Sequence, residues 1–477
     1  AVQELELSCA QEGIWFVEQL NPQSCLNNLL MAIDFDGELD QRALRVALKE
    51  LVRRHASLRT SFREVHGKPL QRVEPDVHLV INFRDTGGED AAHDGAEYRE
   101  YLEEERLKAF DFSKGPPIRF TLVRVSDCLH VLVMCVHHIL VDGWSFSILQ
   151  RELEQLYSDA VSGNKSDLDA VFFDSADLAW WQRHWIKTEE FKLRLERCKD
   201  RFRRSNVLRL DDAQGRAAID SFAGDSEFLV LDAQCRRKLS MVSVRHGATE
   251  FVTLLAVFYL LLHRYSDQVD IVIGSPVTLR SQSEFKDIVG LLANMGVLSV
   301  NFSDIPDFLT LIDRTKEAVA WALEHVDVPY ETLVQAMRRT RDTAINPLFQ
   351  VVFNFETQPS IEPPDPGATT LDQGRSRSLV QNDLEVNCSE RSGFLQLRFD
   401  YRTDLFEADK IRRMAGHYLE LIEQIVADPK CAVSDFYLSG ETRHKLPVAG
   451  SNSTQDVHSE PERNTKMKSG KIQDIYE

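Results

Sequence analysis

With 477 residues, 43% apolar, 27% charged and 9% aromatic, the chain has a globular composition and the length for two or more packed cores, which excludes disorder and fibrous architectures. Its formal charge of −19 argues against nucleic acid or an anionic membrane as main partner, because phosphate binding needs a basic surplus. Eight cysteines (Cys9, Cys25, Cys128, Cys135, Cys198, Cys235, Cys388, Cys431) lack CxxC pairs and short regular spacings, pointing to free thiols in a reducing cytoplasm rather than zinc or disulfides. The chain opens on Ala1 with no signal peptide, which reads as a trimmed product or an excised piece. DQRALRVALKELVRRHA (40–56) places Leu44, Val46, Ala47, Leu51 and Val52 at helical spacing behind Asp40 as a cap. The acidic stretch GGEDAAHDGAEYREYLEEE (87–105) reads as a solvated loop and helix face.

IRFTLVRV (118–125) and HVLVMCVH (130–137) are β-rich runs around Ser126 and Asp127, so a hairpin is expected, its second strand buried on both faces. WSFSILQRELEQLYSDAVSG (144–163) returns to helical periodicity through Phe146, Leu149, Leu153, Leu156 and Tyr157. FVTLLAVFYLLL (251–262), about a dozen residues, is too short to span a bilayer and reads as a core helix. Strand DIVIGSP (270–276), helix 306–326 and strand LFQVVFNFE (348–356) repeat the α/β alternation. TQPSIEPPDPGATTLDQGRSRS (357–378) is a long Pro/Gly-rich connection, and SNSTQDVHSEPERNTKMKSGK (451–471) a polar linker.

VHHILVDGWS (136–145) therefore sits where a buried strand meets a helix. Neighbouring strand side chains point to opposite faces, so His137 and His138 do not serve one atom or one metal ion. Asp142 turns back beneath the loop, where its carboxylate either fixes the turn or holds a distant cation. Gly143 gives the backbone room, and the free N–H groups at 143–145 suit an oxyanion. A lone HxxxD is most simply a structural turn. The doubled histidine, the Asp-Gly-Trp-Ser continuation and the strand-turn-helix setting favour acyl transfer, with a histidine taking a proton from the attacking amine or alcohol.

These residues resemble the HHxxxDG signature of condensation domains from nonribosomal peptide synthetases. Other segments match the family's motifs in order: LSCAQEGIWFVEQLNP (7–22), RRHASLRTSF (53–62), FDFSKGPPIRFTL (110–122), IGSPVTLR (273–280), VGLLANMGVLSVNF (289–302), HVDVPYETLV (325–334), RDTAINPLFQVVFNF (341–355) and FDYRTDLFEADKIRRMAGHYLELI (399–422). The resemblance implies an α/β fold of two chloramphenicol-acetyltransferase-like lobes, 1–180 and 181–445, arranged as a V-shaped pseudo-dimer with a central tunnel, and a linker, 446–477, toward an adenylation domain. It implies amide formation between a donor acyl or peptidyl thioester and an acceptor aminoacyl thioester. Both would be delivered on 4′-phosphopantetheine arms of upstream and downstream peptidyl carrier proteins. No tightly bound cofactor, metal, nucleic acid or membrane is implied, and a cytoplasmic monomer is expected.

By motif position His138 is catalytic, Gly143 lies near the thioester carbonyl, and His137 orders the strand end. Asp142 pairs with Arg280, tying the active loop to the second lobe. Asn346 hydrogen-bonds in the tunnel; Trp144 is read as packing residue and, with Ser145, as a substrate-side position. Where the family commonly shows Phe-Val-Asn-Thr, this chain has Leu292-Ala293-Asn294-Met295, which bears on the tunnel floor. A coenzyme A-dependent acyltransferase of the same fold shares HxxxD, and its plant-type members carry a DFGWG element, absent here. A heterocyclisation domain would replace both histidines by aspartates. An epimerisation domain shares HHxxxDG but differs downstream, and an inactive recruitment platform would have lost part of the motif.

Overall fold

The computed structural model describes residues 4–86, 96–210, 222–281, 283–337, 346–356, 379–391 and 394–440. The Pro/Gly-rich connection 357–378, the linker 446–477 and residues 87–95 of the acidic stretch lie outside the described residues. In chain order the elements are β1 (Glu4–Glu6), α1 (Cys9–Leu20), β2 (Asn28–Asp36), α2 (Gln41–Arg54), β3 (Thr60–Val65), β4 (Lys68–Val73), β5 (Ile81–Asp85), α3 (Ala96–Arg106), β6 (Ile118–Ser126), β7 (Leu129–His137) and α4 (Gly143–Ser162). Helices α5 (Ser175–Trp185) and α6 (Glu189–Phe202) then lead to β8 (Gly224–Leu231), α7 (Ala233–Arg245), α8 (Glu250–Ser266), β9 (Asp270–Thr278) and β10 (Ala293–Asn301). The described residues end through α9 (Phe308–Glu324), α10 (Tyr330–Met337), β11 (Val351–Glu356), β12 (Leu384–Arg391), β13 (Phe394–Arg402) and α11 (Ala408–Ala427).

Two mixed sheets dominate, both within the unit Ala1–Ser439. The first has order β2-β7-β6-β5, antiparallel except for the parallel β5–β6 pair. The second has order β10-β9-β11-β12-β13-β8, with β9, β11 and β12 parallel. β1, β4 and β3 form a small third sheet.

Strand β7 is the centre of the first half, and its apolar run reads directly onto the packing. Leu132, Met134 and Val136 face α2 and α4, whose Leu48, Leu51, Leu149 and Leu153 complete one core. Val131 and Val133 point the other way, onto Tyr98, Tyr101 and Leu102 of α3. This double burial excludes polar residues from β7 until it ends at the histidines. Asp40 caps α2 by accepting the Arg42 and Ala43 N–H groups at 2.8 and 3.0 Å. Val46, expected on the buried stripe of α2, is instead 60% exposed. It stands two residues from Leu44 and Leu48, about 200° round the helix from each, so Leu48 fills the core position.

In the second half α8 is enclosed on all sides, with every residue from Val252 to Leu262 buried against the six-stranded sheet and α11. Among the described residues no single helix is long and apolar enough to cross a membrane. All eight cysteines are free thiols.

Candidate functional site

The polar end of β7 is built by its neighbour strand. His137 lies opposite Asn28 of β2, and the next N–H, that of His138, donates to the Asn27 carbonyl at 2.7 Å. The chain then turns, Leu140 N–H donating to the His137 carbonyl at 2.9 Å, before α4 starts at Gly143. Nδ1 of the half-buried His138 ring lies 2.6 Å from the Val141 carbonyl oxygen. A carbonyl only accepts, so Nδ1 carries the hydrogen and Nε2 of the neutral ring is left with its lone pair.

His137 is oriented away from this duty. Its Nδ1 accepts the Ile139 N–H at 3.2 Å, and its Nε2 faces a Glu18 carboxylate oxygen at 3.3 Å. The same oxygen accepts from Asn27 Nδ2 at 2.7 Å, and the Phe110 and Phe112 rings stand edge-on to the imidazole. Burial pushes His137 below the ordinary imidazole value, outweighing the opposite pull of Glu18. Between the folded and unfolded values the unfolded chain binds the extra proton. Stability from this residue is therefore complete above about pH 6.5 and is lost as the pH falls through that value toward the folded one. Urea midpoints at pH 7.5 and 5.5 are expected to fall less in His137→Asn than in the wild type; equal falls would remove His137 as the cause.

Asp142 caps α4 and accepts four hydrogen bonds. One oxygen takes Ser145 N–H at 3.1 Å and Ser145 Oγ at 2.8 Å; the other takes Arg280 Nη1 at 2.5 Å and Leu292 N–H at 3.0 Å. Arg280, just past β9, has its side chain only 2% exposed, and its Nη2 also donates to the Ile288 carbonyl at 2.9 Å. The Asp142 carboxylate serves both uses open to it: one oxygen fixes the turn through Ser145, and the other holds a cation 138 positions away.

The expected substrate-side residues divide differently. Ser145 is fully buried, its hydroxyl donating to Asp142 and accepting the Gly290 N–H at 3.1 Å, so it belongs to the cap rather than an open passage. Trp144, read as a packing residue, is 48% exposed because the core stripe of α4 runs through Ser145, Ile148 and Leu149; its Nε1 donates to the Lys286 carbonyl at 3.2 Å. Asn346 spends its side-chain oxygen on the Tyr330 hydroxyl and the Leu348 and Phe349 N–H groups, ordering the turn before β11. Gly143 is exposed, and a Cβ built on it meets nothing within 4 Å. The N–H groups of Gly143 and Trp144, in the first turn of α4, have no intrahelical acceptor.

Glu18 and Asn27 carry no motif signal of their own, although both stand in or beside the matched segment 7–22. The sequence offers at most a buried polar position on the inner face of α1. Asn294, in the divergent stretch, donates to the Val326 and Val328 carbonyls at 2.9 and 2.8 Å, so it ties β10 to the approach to α10. Its neighbour Met295 lines a void of about 20 Å³ with Cys198, Trp321 and Leu333, room for one water molecule; His138 is not among its walls.

A family model described as the condensation domain matches residues 1–446. The chain belongs to the condensation-domain family. Chondramide synthase cmdD of Chondromyces crocatus is 34% identical over 445 residues, which cover 93% of this condensation domain and 11% of that protein. A linear gramicidin synthase from Brevibacillus parabrevis is 33% identical over 459 residues, 96% of this chain and 9% of its own. The condensation domain thus spans about a tenth of the length of these relatives. Among solved structures, the condensation domain from the monacolin K polyketide synthase MokA superposes with a TM-score of 0.78 at 21% identity, covering 91% of this chain and all of the other. The shared fold is the α/β, chloramphenicol-acetyltransferase-like one expected of a nonribosomal-peptide-synthetase condensation domain.

Proposed function

We propose that this condensation domain joins a donor acyl or peptidyl thioester to the amine of an acceptor aminoacyl thioester, both held on phosphopantetheine arms of carrier proteins. The acceptor nitrogen attacks the donor carbonyl, a proton leaves that nitrogen for His138 Nε2, and the donor thiolate departs. The observation that carries this reading is the His138 ring itself, held through Nδ1 so that Nε2 keeps its lone pair, on the turn that leads into the start of α4, where the Gly143 and Trp144 N–H groups have no intrahelical acceptor. The bare Gly143 leaves space for a carbonyl to approach those groups.

A free α-amino group titrates at about 7.7 to 8.0, so a sizeable share of the acceptor is neutral before it attacks. His138 therefore acts chiefly by orienting the amine and relieving the positive charge that grows as the C–N bond forms. Arg280 and Asp142 act as the tie between two lobes, 1–180 and 181–445, that flank the passage for the two arms. On this reading residues 446–477 are a linker toward an adenylation domain and the setting is cytoplasmic.

The test mixes this chain with donor-loaded and acceptor-loaded carrier proteins and weighs the acceptor carrier by mass spectrometry. A gain equal to the donor acyl group is expected. An unchanged acceptor with several donors would defeat the proposal, and α-proton exchange with solvent in place of a product would point to epimerisation.

A further inference from the structure

We infer that Gln11 is a positioning residue for His138, holding the turn that aims the imidazole; the inference rests on the reading of His138 as the reacting base. Gln11 is buried and stands at the third position of α1, in a capping box with Ser8. Ser8 N–H donates to Gln11 Oε1 at 2.9 Å, and Gln11 N–H to Ser8 Oγ at 3.2 Å. A capping box asks only for an acceptor here, which Glu supplies as well as Gln. The amide has a second use. Its Nε2 donates to the Ile139 carbonyl at 3.2 Å, 128 residues along the chain. The orientation of the amide is unambiguous, since the oxygen must meet an N–H and the nitrogen a carbonyl.

Ile139 lies between His138 and the Val141 carbonyl that holds Nδ1. Its N–H is taken by His137 Nδ1 and its carbonyl by Gln11, so both of its backbone polar groups are tied. Loss of the Gln11 bond leaves the Ile139 carbonyl without that donor and the Ile139–Leu140 peptide held by the Leu140 N–H bond to the His137 carbonyl. A small tilt of that peptide shifts the Val141 carbonyl and with it the constraint on the His138 tautomer. Helix α1 is an independent anchor: Cys9 N–H donates to Gln182 Oε1 at 2.7 Å and Arg183 Nε to the Leu7 carbonyl at 2.6 Å, both from α5. Gln11 thus connects an anchored helix to the turn that carries His138.

The experiment compares Gln11→Glu with the wild type by steady-state amide formation between loaded carriers, thermal midpoint, and two-bond nitrogen–proton correlation spectra of 15N-histidine-labelled protein. Gln11→Glu keeps the capping acceptor and loses the donor. A fall in kcat of roughly tenfold or more at unchanged KM is expected, the scale of a small misplacement at a reacting centre. The spectrum should show the single Nδ1–H pattern of His138 giving way to a tautomer mixture. Gln11→Met, which brings no charge into the buried position, repeats the spectral comparison should the carboxylate unfold the chain. Wild-type kcat together with an unchanged His138 pattern would overturn the inference. If the wild type itself forms no amide, the functional reading fails, while the spectra still decide whether Gln11 holds the ring.

Discussion

Replacing His138 by Ala is expected to lower kcat for amide formation by roughly two to four orders of magnitude, the usual contribution of a positioned acid-base group. On the proposed mechanism the loss falls on kcat rather than KM, because Nε2 would meet the amine most strongly when the C–N bond is forming and the nitrogen is becoming positive. Folding is expected to be little affected: the ring is half-buried, and among the described residues its one hydrogen bond is to the Val141 carbonyl, for which water substitutes at about 1 kcal/mol. The measurement is single-turnover transfer between loaded carriers, with circular dichroism and thermal midpoint as controls on the fold. A variant that makes product near the wild-type rate would remove His138 from the chemistry and leave at most a positioning role for the turn.

How far the sequence reveals this site depends on whether the signal is local. The run HVLVMCVH announces a strand buried on both faces because period-two alternation is missing from it, and β7 packs on two layers. Asp40 and the following stripe define α2 to within a residue or two, yet the same stripe misplaces Val46, since apolar character does not say which side of a helix is inner. Ser145 and Trp144 are adjacent, and their burial follows the phase of α4, which periodicity places only to within a residue. Glu18, Asn27 and Gln11 leave no comparable mark. Glu18 and Gln11 meet His137 and the Ile139 carbonyl more than a hundred residues on, Asn27 only braces Glu18 from nine residues away, and a buried polar side chain on an amphipathic helix shows that something is bonded without showing what. The Asp142–Arg280 bond spans 138 positions and is accessible only through the family resemblance, not through spacing.

That bond carries the second large effect. Asp142→Ala is expected to destabilise the chain by about 3 to 5 kcal/mol or somewhat more, a large part of the ~5 to 15 kcal/mol that holds a domain folded. It strands a guanidinium whose side chain is 2% exposed, and it also removes the cap of α4 and the acceptor of Leu292 N–H. Arg280→Met costs less, because the Asp142 carboxylate keeps three donors, Ser145 N–H, Ser145 Oγ and Leu292 N–H. The double variant should cost less than the two single losses added, since neither partner then leaves the other's charge buried alone; the coupling is expected at about 1 to 3 kcal/mol. Urea denaturation of the four proteins measures it. Additive losses would mean that the pair is not an interacting unit, and a larger loss for Arg280→Met than for Asp142→Ala would mean that the cap of α4 contributes less than its four hydrogen bonds imply. Because the same carboxylate joins the start of α4 to Arg280 beyond β9 and to Leu292 before β10, any folded Asp142→Ala protein should also lose kcat, as the turn bearing His138 then loses its tie to Arg280 and Leu292.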